Sequence, residues 1–205
     1  MNLVIKQSLL IKTMIAMRSY LITLFALILL STSVYAQSDW THLFGSDTST
    51  WTTLGQAKWT LDGEVLTGDE MSGLGFAVSK KSYKNFHLKL EFKPNTDVNS
   101  GVFFRCSTDS IAPTVCYEAN IWDDHVNQDF RTGAVVLQAS PLVKVQTVDK
   151  WNTYEIFADE DHIQLWVNGL KTADFKSDLS QEGIIALQLF KQGQIQFRNV
   201  KIKEL

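Results

Sequence analysis

Short stretches in which apolar and polar residues alternate are the dominant pattern of this chain. Residues 86–93 alternate without a break, with apolar side chains at even positions and His, Lys, Glu and Lys between them, which predicts a half-buried β-strand. Asp62-Gly63 and Asn168-Gly169 each separate two such stretches, at 58–67 and 162–175, and predict tight β-hairpins. Further strands are predicted at 101–106, 116–122, 134–138, 153–159, 184–190 and 194–203.

Two irregularities interrupt this pattern. Within 194–203 the apolar residues change from odd to even positions near Arg198-Asn199, which predicts a β-bulge. A short helical turn is predicted around 177–181, and no stretch has the period of a long amphipathic helix. Ten or more short strands in one domain indicate an all-β fold, a jelly-roll β-sandwich.

The first 36 residues have the features of a cleaved signal peptide. Three basic residues and no acidic one precede an apolar run at 21–30, and a small-residue cleavage site ends at Ala36. The apolar run is shorter than the roughly 20 residues that a membrane span needs. We therefore predict a signal peptide at 1–36 and a single mature domain at 37–205, periplasmic or secreted and without a membrane partner.

The net charge of the mature domain bears on its binding partners, and its two cysteines bear on a disulfide. Without the three cations of the signal peptide, the chain has 16 basic and 22 acidic residues, a net charge of −6. An acidic domain without basic clusters argues against nucleic acid as a partner. In an exported domain Cys106 and Cys116 are expected to form a disulfide, with a pair of free thiols as the alternative.

Polar side chains occur on two neighbouring predicted strands, where a simple sandwich would have apolar ones. Glu118 lies between apolar neighbours, so it is either an essential acid or base, or an exposed glutamate on a sheet face. Asn120 and Trp122 share its parity and therefore its face. Trp122 either stacks on a sugar ring or packs in the core.

Nine segments, in order along nearly the whole mature chain, resemble the 3-keto-disaccharide hydrolase family, formerly a domain of unknown function. They include Asn-Ser-Gly-Val-Phe-Phe-Arg at 99–105 and Tyr-Glu-Ala-Asn-Ile at 117–121. The others are 40–44, 59–63, 86–92, 132–134, 151–155, 167–169 and 197–202. The resemblance implies a concanavalin A-like lectin/glucanase fold.

The resemblance also implies an exported carbohydrate-active hydrolase or lyase. Its expected substrates are oxidised di- or oligosaccharides or glycosides with a ketone at sugar C3. A base removes the C2 proton, the C1 substituent is eliminated, and water adds to the product. We favour this enzyme over the alternative, a non-catalytic carbohydrate-binding module of the same fold. Because the face of Glu118 reads Glu, Asn, Trp at alternate positions, the second carboxylate of an ordinary glycosidase is missing.

Eight side chains are our candidates for the site. The predicted catalytic residues are Glu118, Arg105, His125 and Asp123, and the predicted substrate-binding residues are Asn120, Trp122, Asp124 and Gln188. The alternative for Arg105 is a structural ion pair with a carboxylate, and the alternative for His125 is an exposed histidine without a role in the site. Many members of the family carry a histidine just after the Leu-Gln of a late strand, and residues 187–191 contain none.

The positions of the cysteines create a conflict within this site. If Cys106 faced Cys116 in strict antiparallel register, Arg105 and Glu118 would point to opposite sides of the sheet. Because the resemblance implies a shared site, we expect the disulfide in a loop outside the ladder. A bulge, or a structural role for one of the two residues, remains open.

No cofactor is expected. The histidines lack zinc-type spacing. A calcium site among Asp123, Asp124 and Asp129 is a minor alternative to a solvated acidic loop.

Overall fold

Two antiparallel β-sheets make up the described part of the chain. The computed structural model describes residues 14, 18, 39–69, 73–96, 98–190 and 193–205, and Asp39–Leu205 forms one unit. Apart from Met14 and Arg18, the predicted signal peptide lies outside the described residues, so it stays a prediction. No helix in the described ranges is long and apolar enough to span a membrane.

The described residues contain thirteen strands. In chain order they are β1 (Thr41–His42), β2 (Trp51–Gly55), β3 (Lys58–Asp62), β4 (Val65–Asp69), β5 (Gly75–Ser79), β6 (Phe86–Pro94), β7 (Asn99–Cys106), β8 (Tyr117–Ile121), β9 (Asn152–Asp159), β10 (His162–Val167), β11 (Leu170–Lys176), β12 (Ile184–Phe190) and β13 (Gln194–Glu204). The larger sheet has the order β11-β10-β9-β6-β13-β4-β3, with β1 beside β13, and the smaller has the order β2-β5-β12-β7-β8.

The main core lies between the two sheets and follows the alternation of the sequence. In β6 the even residues are buried and the odd ones are partly exposed, as predicted. Val102 and Phe104 of β7 and Tyr117, Ala119 and Ile121 of β8 belong to the same core. The all-β sandwich is thus confirmed.

A second apolar cluster lies on the other face of the smaller sheet. We call this face, which points away from the core, the outer face, and the cluster the outer-face cluster. Its buried members are Phe76, Val78, Phe103, Cys106, Cys116, Ile184 and Ala186, with Leu54 and Ile111 packed against them. The cluster covers part of a face that would otherwise be open.

Most predicted local features are confirmed. Both hairpins form, with glycines of positive φ at Gly63 (58°) and Gly169 (76°). The bulge in β13 lies between Arg198 and Lys201, where Asn199 has a φ of 52°. The sequence signs of β1, β2 and β5 are weaker, and we did not predict these three strands.

Two predicted elements are wrong. Residues 134–138 do not form a strand, because Val135 makes only isolated bridges, to Ala119 and Ala139. The helical turn expected at 177–181 is absent from those described residues, and a 3-10 turn occurs instead at Gln128–Phe130.

Candidate functional site

Glu118, Asn120 and Gln188 share the outer face of the smaller sheet. Glu118 and Asn120 alternate along β8 with three core residues, so their side chains point away from the core. In the ladders Gly101 is paired with Asn120 on one side and with Gln188 on the other. Gly101 therefore forms the floor between β8 and β12, which are about 10 Å apart because each strand adds about 4.8 Å.

Gly101 makes room for the Glu118 side chain. A Cβ atom at position 101 would lie 3.2 Å from both Cγ and Oε1 of Glu118. The carboxyl group thus leans over the glycine rather than standing over Phe103, its partner in the ladder. A glycine inside a strand often marks such a close approach, and this residue is a signal that our sequence reasoning did not use.

The Glu118 carboxyl group is buried and has no hydrogen-bond or ion-pair partner among the described residues. Glu118 is only 8% exposed, and this burial raises its pKa to about 7. Desolvation is the one cause of this shift, and among the described residues no hydrogen bond or ion pair reaches the carboxyl group. A buried carboxyl group with a raised pKa is a frequent sign of a functional site.

Gln188 presents a second polar group that lacks a partner. The residue is 7% exposed, and its Oε1 atom has no hydrogen-bond donor among the described residues. Unpaired buried polar atoms are rare in folded proteins because each costs free energy. Gln188 and Glu118 flank Gly101, so one hydroxyl-rich ligand lying over the glycine would satisfy both side chains.

Asn120 lies beside Glu118, as predicted, but its amide holds the neighbouring segment. Its Nδ2 group donates to the carbonyl of Phe130, and its Oδ1 atom accepts from the amide of Ile121 at 2.9 Å. On the core side, the Tyr154 hydroxyl donates to the Asn120 carbonyl at 3.3 Å. These contacts show that Asn120 holds the neighbouring segment in position. Its contact with the substrate stays a prediction.

An aromatic group stands where β8 ends. Trp122 continues the parity of Glu118, is half-buried and belongs to neither apolar cluster of the described residues. Its ring centroid lies 4.5 Å from that of His125, which in turn lies 5.7 Å from that of Phe130. His125 is oriented by the Asn127 amide, which lies 3.0 Å from its Nδ1 atom. The pair Trp122 and His125 therefore lies beyond Asn120, where β8 ends.

Asp123 does not point into the site, which corrects the predicted catalytic role. Its Oδ2 atom accepts from the Thr147 amide at 2.6 Å, and its Oδ1 atom accepts from the Thr147 hydroxyl at 2.9 Å. Its parity is opposite to that of Glu118, and it is buried. Asp123 therefore anchors the long loop after β8.

The neighbouring acidic residues give no independent support for calcium. Asp124 and Asp129 are exposed, and both oxygens of Asp123 are engaged by Thr147. Among the described residues no group of three or more His, Cys, Asp or Glu side chains has an arrangement suited to a metal ion. The substrate-binding role of Asp124 stays a prediction.

Arg105 is also outside the site. Its guanidinium donates to the carbonyls of Lys84 at 2.9 Å, Glu160 at 2.7 Å and Ser180 at 3.3 Å. A fourth contact, at 3.4 Å, reaches Oδ1 of Asn85. These acceptors belong to loops around the sandwich end, so Arg105 ties loops together and does not form a wall of the site. The alternative, a structural ion pair with a carboxylate, is not seen among the described residues either.

The backbone explains why Arg105 and Glu118 separate. The disulfide between Cys106 and Cys116 forms, as predicted, with an S–S distance of 2.06 Å. It lies beyond the ladder, as expected, because the ladder ends where Phe104 pairs with Tyr117. Arg105 has a φ of 56° at a bulge against β12 and points away from the outer face. The expectation that Arg105 and Glu118 share a pocket is therefore wrong.

The chain was compared with known families and structures. Residues 39–203 match the model of a family described as 3-keto-alpha-glucoside-1,2-lyase-like domain. A search among curated proteins returned no match. A Parabacteroides distasonis protein provisionally described as a glycosyl hydrolase is 25% identical, over 81% of this chain and 99% of that one, with a TM-score of 0.70.

Two more distant structures share the fold alone. The carbohydrate-binding module CBM66 of Bacillus subtilis is 20% identical over 76% of this chain and 96% of that one, with a TM-score of 0.61. A β-glucanase of Bacillus licheniformis is 12% identical over 81% of this chain and 97% of that one, with a TM-score of 0.56. The predicted jelly-roll sandwich of the lectin/glucanase type is thereby confirmed.

Proposed function

Because the chain belongs to the family of 3-keto-alpha-glucoside-1,2-lyase-like domains, we propose that it cleaves glycosides oxidised to a ketone at sugar C3. The observation that carries this proposal is the carboxyl group of Glu118, which is buried over Gly101 on the outer face and has no partner in the described part of the chain. A group of this kind is suited to proton transfer, whereas the fold alone would not distinguish catalysis from binding.

The chemistry needs one base with a pKa near neutrality. A ketone at C3 makes the C2 proton acidic, and Glu118 takes that proton. The electron pair of the broken C–H bond forms the enolate, whose collapse makes a C1–C2 double bond as the C1–O bond breaks. The leaving oxygen departs with the C1–O electron pair and takes up the proton that Glu118 had removed, which regenerates the base. Water then adds across the double bond, with OH at C1 and H at C2, and gives the free 3-keto sugar. A base with a pKa of about 7 is half-ionised at neutral pH, which is near the optimum for proton transfer.

The enolate oxygen needs a hydrogen-bond donor close to Glu118. Arg105 is bound by loop carbonyls away from Glu118, so another residue must stabilise the enolate oxygen. Gln188 lies across Gly101 from Glu118, and its amide offers both a donor and an acceptor. In this proposal its Nε2 group donates to the developing oxyanion, and its unpaired Oε1 atom accepts from a sugar hydroxyl.

A non-catalytic carbohydrate-binding module is the second candidate. It is favoured by the sequence of β12, where Phe190 stands in the stretch in which many members of the family have a histidine. A binding site would use the Trp122 ring and the Gln188 amide for a sugar and would not require ionisation of Glu118.

The test compares a 3-keto-glucoside that carries a chromogenic aglycone with its non-oxidised parent. We expect release from the oxidised compound alone, and a decrease of about 100-fold or more in Glu118→Gln. The matched control is Glu64→Gln, an exposed carboxyl in the turn between β3 and β4, which should leave the rate unchanged. Sugar binding without release from either compound would favour the binding module, and turnover unchanged in Glu118→Gln would contradict the assignment of the base.

Export is part of the proposal and has its own test. Cleavage after Ala36 would leave a mature chain that begins at Gln37, in the periplasm or outside the cell. N-terminal sequencing of the protein recovered from those fractions is expected to start at Gln37, and retention of residues 1–36 would contradict the prediction.

A further inference from the structure

The larger sheet has a depression on the face that points away from the core, which we call the back face. Lys89 and Glu91 of β6 alternate with core residues, so their side chains lie on this face. The depression has a volume of about 370 Å³, which is within the range of binding sites for small molecules. Its lining includes six polar or charged residues: Lys89, Glu91, Thr153, Glu155, Asn199 and Lys201.

The bulge in β13 lies directly at this depression. Two residues of β13, Asn199 and Val200, lie opposite the single residue Leu90 of β6. Asn199 has the φ of 52° that the bulge requires, and it lines the depression. Leu90 also lines it, although its side chain belongs to the core, so the backbone of Leu90 forms part of the floor. Bulges of this kind redirect side chains and are frequent beside functional sites.

The charges around the depression do not balance. Lys89 forms an ion pair with Glu155 at 2.9 Å. At the bulge, the Arg198 guanidinium donates to Glu91 twice, at 2.9 and 2.6 Å. Lys201 forms no ion pair with any described residue. Three cations therefore accompany two carboxylates, although the whole chain has a net charge of −3.

Two of these cations lie close together. Lys201 and Lys89 are direct partners in the ladder between β13 and β6. Their Nζ atoms lie 5.5 and 5.7 Å from the ring centroid of Trp40, and such cation–π contacts favour fixed positions for both ammonium groups. Because like charges directly opposite each other destabilise a sheet, an anionic group bound by both lysines would relieve a repulsion that the folded protein otherwise retains.

We propose that this depression is a second binding site, which takes the carboxylate of an acidic sugar in a glycan. The sugar carboxylate accepts hydrogen bonds from Lys201 and Lys89, and the three donors of an ammonium group allow Lys89 to keep its contact with Glu155. The sugar hydroxyls bind Thr153 and Asn199, whose side chains offer both donors and acceptors.

This second site is independent of the proposed cleavage. The back face and the outer face lie on opposite sides of the sandwich, because the main core lies between the two sheets. A glycan on the back face therefore leaves the outer face open. In this proposal the back face holds the protein on an acidic polysaccharide, while Glu118 acts on a separate substrate.

The test measures the binding of two disaccharides by isothermal titration calorimetry, one that ends in glucuronic acid and one that ends in glucose. The wild type is expected to bind the acidic disaccharide at least about tenfold more tightly, and Lys201→Gln is expected to lose most of this preference. The matched control is Lys171→Gln. Lys171 is another lysine of the larger sheet, with its Nζ atom 5.3 Å from the ring centroid of Trp166, and it does not line the depression. This control should keep the preference of the wild type.

The location of the bound sugar has its own control. Glu118→Gln should bind the acidic disaccharide as tightly as the wild type, because Glu118 lies on the smaller sheet. Equal affinity of the wild type for both disaccharides, binding of neither, or an unchanged preference in Lys201→Gln would overturn the inference. Since neither disaccharide carries a ketone, these results would leave the proposed cleavage untouched. Altered binding in Glu118→Gln would locate the acidic sugar on the outer face and would also overturn the inference.

Discussion

Replacing Glu118 by glutamine should stabilise the protein at alkaline pH, although it removes the proposed base. Burial raises the pKa of Glu118 from 4.5 to about 7. Below about pH 4.5 the carboxyl group is protonated in both the folded and the unfolded state, so it has no effect on stability. Between pH 4.5 and 7 only the unfolded chain releases the proton, so the folded state loses stability as the pH rises. Above pH 7 the full cost is about 3 kcal/mol.

The assay is urea denaturation of the wild type and of Glu118→Gln at several pH values between 4 and 8.5. The unfolding free energies of the two proteins should differ least at pH 4. At pH 8.5 the unfolding free energy of Glu118→Gln should exceed that of the wild type by about 3 kcal/mol. Glu64→Gln serves as the control, because the exposed carboxyl of Glu64 should give no such trend. A difference between Glu118→Gln and the wild type that does not change with pH would refute the reasoning that the carboxyl group is buried without a partner.

Two further substitutions separate catalysis from stability. In Gly101→Ala the new Cβ atom lies 3.2 Å from Glu118 Oε1, so the rate of cleavage of a 3-keto-glucoside should fall about tenfold or more. The control is Gly45→Ala, whose new Cβ atom has no other atom within 4 Å and which should not change the rate. Unchanged turnover in Gly101→Ala would show that the carboxyl position is not critical. Asp123→Ala should cost about 2–3 kcal/mol in urea denaturation, because it leaves the Thr147 amide and hydroxyl without their acceptor. A loss below about 0.5 kcal/mol would contradict the anchoring role of Asp123.

The sequence predicted one half of the site because strand periodicity is a local property. In a strand at 117–121, Glu118 and Asn120 must share one face because side chains alternate. Since the other three residues of the strand belong to the core, this face is the one that points away from the core. The same rule failed for Arg105. One residue with a left-handed backbone changed the direction of its side chain, and no pattern in the sequence indicates such a bulge.

The remaining differences come from contacts between distant parts of the chain. Asp123 is separated by 24 positions from the threonine that binds both its oxygens, so its anchoring role was invisible in the sequence. Residues 134–137 form an apolar run like that of a buried strand, yet this segment borders β8 through one isolated bridge, between Ala119 and Val135. Gly101 was a local signal of the site, since a glycine inside a strand often marks a place where another group approaches the backbone closely.

The most direct measurement of the central claim is the pH dependence of aglycone release from a 3-keto-glucoside. If Glu118 is the base that removes the C2 proton, kcat/KM of the wild type should rise with pH through about 7 and then level off, as the carboxyl group with its raised pKa ionises. In Glu118→Gln the residual rate should lack this step. A wild-type profile without a transition near pH 7, or the same transition in Glu118→Gln, would contradict the account.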